Sequence, residues 1–200
     1  EKKLQWVCQN IHLGKDQLWD ELMEFPSIQF GVEMAFLSLQ SKSLFELFPS
    51  EFTEGKKNML INGLVWMGEE QFMKTQIEEK LAQGFSCIKL KIGAIDFEKE
   101  LGLLRFIRQN FDAKTIEIRV DANGAFNSNE ALSKLNQLNE FELHSIEQPI
   151  KANQIQEMKL LCHQTPFPIA LDEELIGVFE TEDKRKLLEE IQPQYIILKP

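Results

Sequence analysis

The chain has 200 residues, 43% hydrophobic and 27% charged, an ordinary composition for a globular protein of about one domain. A formal net charge of −10 excludes the basic face that a phosphate-backbone binder needs, so no nucleic-acid partner is expected. No run approaches the roughly eighteen apolar residues of a membrane span, and Cys8, Cys87 and Cys162 form no CxxC pair, which points to free thiols and a cytoplasmic location.

Residues 17–24 and 31–41 have helical patterning, the second with Ala, Met, Leu and Phe on one face. Phe25-Pro26-Ser27 is expected to break the chain between them, with Ser27 as a helix cap. Residues 50–57 are polar, contain Gly55, and read as a connector. A different rhythm begins at residue 58. The apolar run 59–66 is a strand candidate, and 69–82 is a helix ending at Gly84. A strand at 87–92 precedes a helix capped by Asp96 that runs to about Asn110. A strand at 115–120 precedes a helix to about Asn139, opened by an Asn127/Glu130 capping box. Strands at 144–147, 168–171 and 195–198 follow, with helices at 154–163 and 182–191 between them.

Six strands alternating with five helices predict a parallel α/β sheet with right-handed crossovers. No GxGxxG or Walker loop follows any strand. What does recur is a charged residue at the C-terminal end of each strand from the second onward: Lys89 and Lys91, then Asp121, Glu147, Asp172 and Lys199. The spacings from Lys91 onward are 30, 26, 25 and 27 residues, each one strand–helix unit. Barrel enzymes assemble their sites at that end from residues of different strands. Strand alternation puts Ile88, Leu90 and Ile92 on one face and Lys89 and Lys91 on the other. In the next strand it separates Ile116, Ile118 and Val120 from Arg119, Asp121 and Asn123.

Those residue types define a chemistry. The carboxylates of Asp121, Glu147 and Asp172 suit a hard octahedral ion, Mg²⁺ with Mn²⁺ as a substitute, leaving positions for water and substrate. Such an ion stabilises the charge formed when the carbon beside a substrate carboxylate loses its proton. An amine near a divalent ion and a second ammonium gives up its proton more readily. Lys91 and Lys199, on strands either side of the metal residues, are the candidate bases, and Lys89 assists. Asn123, Arg119 and Glu173 are expected to support the site from behind, and Glu174 reads as a loop residue. His12, His144 and His163 match no ligand spacing.

The segments Lys89-Leu90-Lys91, Val120-Asp121-Ala122-Asn123, Glu147-Gln148-Pro149, Leu171-Asp172-Glu173-Glu174 and Leu198-Lys199-Pro200 resemble the enolase superfamily, muconate lactonizing subgroup. Lys or His bases working with Mg²⁺ are the known pattern of such sites. Within the subgroup the chain resembles the o-succinylbenzoate synthase family. The stretch 25–33 is similar to that family's PSxRFGxE motif, with Gln29 where arginine is common. The stretch 61–68 is similar to its first barrel strand, and Lys199-Pro200 to its second lysine.

The resemblance implies an enolase-type (β/α)7β barrel, partial here at about six strands. Residues 58–200 would supply it, preceded in 1–57 by the helical part of an α+β capping domain. A complete β/α barrel takes about 250 residues, so the chain is expected to be truncated at both ends. The resemblance further implies the dehydration of 2-succinyl-6-hydroxy-2,4-cyclohexadiene-1-carboxylate to o-succinylbenzoate in menaquinone biosynthesis, a small-molecule carboxylate substrate. In that reaction Lys91 would move the proton and Lys199 would remain a cation. An N-acylamino acid racemase or dipeptide epimerase would use the same residues as two opposed bases. A Schiff-base aldolase with Lys199 as nucleophile and a non-catalytic barrel are the readings of other classes. The residues do not specify an oligomeric state.

Overall fold

The computed structural model describes residues 1–42 and 46–198. It divides into two compact units, one formed by Glu1–Leu60 with Gly177–Thr181, the other by Ile61–Ile176 and residues 182–198. Among the described residues no helix is long and apolar enough to cross a membrane.

The first unit is helical: α1 Lys2–Asn10, α2 Gly14–Glu21 and α3 Pro26–Gln40. Leu18 and Leu22 are fully buried and, with Val7, form a small core against which Trp6, Leu13, Ile28, Val32 and Phe36 pack. The expected break at Pro26 is instead the start of a helix. Pro26 occupies its first turn, where a missing N–H costs nothing and a fixed φ is already helical. Phe25, not Ser27, stands at the N-cap. Helix α1 has no counterpart in the sequence reading.

The second unit carries a sheet of six parallel strands in the order β1 to β6: Gly63–Val65, Cys87–Lys91, Glu117–Asp121, Ser145–Glu147, Ile169–Leu171 and Tyr195–Ile196. Helices α4 Glu70–Ala82, α5 Phe97–Asn110, α6 Ser128–Leu138, α7 Ile155–Gln164 and α8 Thr181–Ile191 connect them. The α/β class and parallel order are as expected. The first and last strands are shorter than the apolar runs that announced them, because hydrogen-bonded pairing reaches only part of each run.

The helix starts follow the expected chemistry in part. Asp96 caps α5 by accepting from Glu98 N–H at 3.1 Å. Asn127 caps α6 by accepting from Asn129 N–H at 3.0 Å, so its oxygen serves N2 rather than the N3 position of Glu130. Ile88, Leu90, Ile118, Val120, Ile146, Ile169 and Leu171 are buried on the strands and join Ile77, Leu104, Ile107, Leu135 and Leu138 of the helices in one core. Burying each such side chain contributes about 1.5–3 kcal/mol. The alternate residues of β2 and β3 are thereby left to the other face, where the site lies.

Candidate active site

Strand register brings the site together. Lys91 pairs with Asp121 across β2 and β3, and Asp121 pairs with Glu147 across β3 and β4. Asp121 is fully buried and Glu147 and Asp172 nearly so. The Lys89 ammonium stands between two carboxylates, 2.5 Å from Glu147 Oε2 and 3.1 Å from Asp121 Oδ2. Lys91 Nζ donates to the same Asp121 oxygen at 2.6 Å and to Asn123 Oδ1 at 2.7 Å.

The electrostatics of Asp121, Glu147 and Lys89 differ. Burial works against charge on Asp121, yet the hydrogen bond from Lys91 and the charge of Lys89 outweigh it and hold its pKa below the usual carboxylate value. Burial also acts on Glu147, and there it wins: the single bond from Lys89 does not overcome desolvation and the neighbouring Asp121 charge, and the pKa is raised. Burial opposes the charge of Lys89, but its bonds to Glu147 and Asp121 prevail and its pKa is raised. Lys89 is thus a fixed cation between two carboxylates.

The residues expected to support the site separate. Asn123, in a left-handed backbone at φ 44°, receives Lys91 on Oδ1 and donates from Nδ2 to Glu173 Oε1 at 3.0 Å. Its own N–H returns to Asp121 Oδ1 at 3.1 Å, so Asn123 links Asp121, Lys91 and Glu173. Arg119 is not brought to the carboxylates. Its Nε donates to Glu117 Oε1 at 2.6 Å, two residues towards the other end of β3. Lys199 lies outside the described residues. His144 stacks on Tyr195 with centroids 5.1 Å apart and bonds Ser145 Oγ at 2.9 Å. A cavity of about 390 Å³ on this face is lined by Asn62, Lys89, Arg119, Ser145, Glu147 and Tyr195 among others.

Three further polar residues are buried, Gln148 and Glu174 just beyond strand ends and Glu100 on helix α5, and none of them is among the residues expected to form the site. Glu174, expected in a loop, is only 6% exposed. Glu100, in the first turn of α5, accepts from Gly93 N–H at 2.6 Å and so holds the turn that follows Lys91. A carboxylate directed back from a helix onto the glycine turn before it was the available signal. Cys87 and Cys162 are held as neutral thiols by burial, pushed up to about 11 and about 12.

Among the described residues no three His, Cys, Asp or Glu side chains stand in the geometry of a metal site. The donor chemistry nevertheless fits a cation. Asp121 and Glu147 each turn an oxygen onto one ammonium, so a positive charge already stands between them. Asp172 follows at the end of the next strand, 4% exposed.

The chain is similar to known proteins along most of its length. Residues 73–190 match the family described as enolase C-terminal domain-like. The chain is 55% identical over 176 residues to an o-succinylbenzoate synthase of Desulfotalea psychrophila, covering 88% of this chain and 48% of that protein. It is 31% identical over 140 residues to an L-Ala-D/L-Glu epimerase of Francisella tularensis subsp. novicida, covering 68% and 38%. The crystal structure of MenC from Desulfotalea psychrophila superposes with a TM-score of 0.79 over all of this chain and 64% of that one, at 40% identity. The chain spans about half the length of the curated relatives it matches.

Proposed function

Because the chain belongs to the enolase C-terminal domain-like family, we propose that it is part of an o-succinylbenzoate synthase, acting in the cytoplasm. Residues 1–57 would be the helical part of a capping domain and 58–200 the first six barrel strands. The observation that carries this reading is the 55% identity to a synthase against 31% to an epimerase, with the Lys91–Asp121–Asn123 group in place at the strand ends.

The reaction is the loss of water from the hydroxycyclohexadiene carboxylate. Lys91, entering as the free amine, takes the proton from the carbon beside the substrate carboxylate. The released electron pair forms the new ring double bond as the C–O bond on the adjacent carbon breaks. The Lys91 ammonium then returns the proton to the departing hydroxide on the same face, and water leaves. Asn123 and Asp121 aim the Nζ, and Lys89 stands between the two carboxylates. Asp121, Glu147 and Asp172 would hold a divalent ion, Mg²⁺ or Mn²⁺. When bound, that ion supplies electrostatic stabilisation of charge developing on the substrate carboxylate and relieves the ammonium groups of neutralising Asp121 and Glu147. Lys199 serves as a cation beside the same charge.

The test is proton exchange in D₂O, followed by NMR on full-length protein with the cyclohexadiene substrate and with N-succinyl amino acids. Lys91→Arg loses dehydration entirely, since a guanidinium does not deprotonate carbon at neutral pH. Fast dehydration by that variant refutes the assignment of the base. The epimerase similarity supplies a second reading. It gains if Lys91→Arg and Lys199→Arg each exchange the α-proton of one enantiomer only, with no dehydration.

A further inference from the structure

The backbone ladder between β4 and β5 ends early. Its last rungs are Ile146 with Ile169 and Glu147 with Ala170, followed by Gln148 N–H on Ala170 O at 2.9 Å. Beyond them lie Asp172 and Glu174, whose N–H groups have no strand to meet. The Gln148 side chain fills that gap. Its Oε1 accepts from Asp172 N–H at 3.1 Å and Glu174 N–H at 3.4 Å. Its Nε2 donates to Ile150 O at 2.9 Å and Glu174 Oε2 at 3.2 Å. The Glu174 carboxylate in turn accepts from Asn153 N–H at 3.1 and 3.3 Å.

Every donor and acceptor of this fully buried amide is used. A primary amide offers two of each at that reach, and reversing it would set N–H against N–H. A carboxylate, a thioether or a methyl group cannot do the same. The residue also holds a left-handed backbone at φ 39°, a conformation that a side chain with a Cβ disfavours and that needs such surroundings to persist.

We infer that Gln148, oriented by Glu174, is a positioning residue that sets the separation of Glu147 and Asp172 and so prepares two carboxylates of the site for one divalent ion. Gln148 follows Glu147 directly, and the N–H it binds belongs to Asp172 itself. The bracket therefore joins the two residues through one side chain where the sheet no longer does. The inference rests on the proposed metal reading.

The probe is Mn²⁺ alone, titrated into metal-free full-length protein and followed by the EPR signal of free ion, with a thermal melt of each metal-free variant. The wild type binds Mn²⁺; a wild type that does not bind overturns the metal reading itself. Given binding, Gln148→Met weakens it about 10–100-fold, the range for partners that orient metal ligands. A merely structural role would lower the melting temperature and leave the Mn²⁺ affinity of the folded protein unchanged. Glu174→Ala, which frees only the outer end, weakens binding about tenfold, and Glu174→Gln, which keeps an acceptor for Asn153, restores most of it. If Gln148→Met does not fold, the Glu174 pair decides alone. Mn²⁺ affinity within twofold of wild type in Gln148→Met, or equal in Glu174→Ala and wild type, overturns the inference.

Discussion

Neutralising the two paired carboxylates in turn should have unequal consequences. Asp121→Asn keeps the side-chain shape and removes a charge that receives Lys89 at 3.1 Å and Lys91 at 2.6 Å. Breaking a buried ion pair from one side costs about 3–5 kcal/mol. Glu147→Gln removes a charge that burial and Asp121 already disfavour, and Lys89 keeps Asp121 as its counterion. Its expected cost is therefore within about 1 kcal/mol, the scale of one ordinary hydrogen bond. The assay is urea unfolding of metal-free full-length protein in EDTA at neutral pH, comparing both variants with wild type. Equal losses, or a larger loss for Glu147→Gln, would refute the assignment of Asp121 as the carboxylate that anchors both lysines.

Three further outcomes are expected. Burial raises the pKa of Glu100 against its bond from Gly93, so the folded protein holds that proton more tightly than the unfolded chain. Wild-type stability should therefore fall relative to Glu100→Gln as pH rises from 4.5, its ordinary value, towards neutrality; parallel pH profiles in urea unfolding would contradict this. Gly124 has φ 73°, and a Cβ there would stand 2.9 Å from Lys151 Cα. Gly124→Ala should cost at least about 1–2 kcal/mol from the left-handed backbone plus the clash, read as a lowered melting temperature. Excess EDTA should abolish turnover of the full-length enzyme and Mg²⁺ or Mn²⁺ restore it, and Ala at Asp121, Glu147 or Asp172 should have the same effect without unfolding; undiminished turnover in EDTA removes the metal from the reading.

The strand–helix rhythm of the second unit was legible because it is local. Period-two alternation at 87–92 and 116–123 placed Ile88, Leu90, Ile118 and Val120 in the core and so left Lys89, Lys91 and Asp121 to the opposite face. Asp96 at the start of α5 was readable for the same reason, its partner being two residues away. Helix α3 is legible over most of its length but not at its start, because proline carries two meanings, a break inside a helix and a favoured first residue, and only the surrounding packing selects between them.

The partners within the site were not legible. Lys89 meets Glu147 across 58 residues of sequence and Gln148 meets Asp172 across 24, distances bridged by the pairing register of separate strands. Which of two like residues lies next to a charge depends on that register. Asn123 thus meets Lys91 of the neighbouring strand, while Arg119 bonds Glu117 two residues away on its own strand. Sequence by itself determined which residues share a face and which end of the strands carries charge. Tertiary structure alone decided which carboxylate holds which ammonium and that an amide spans the gap between two strand ends, because a hydrogen bond is set by angstroms and a sequence pattern only by periodicity.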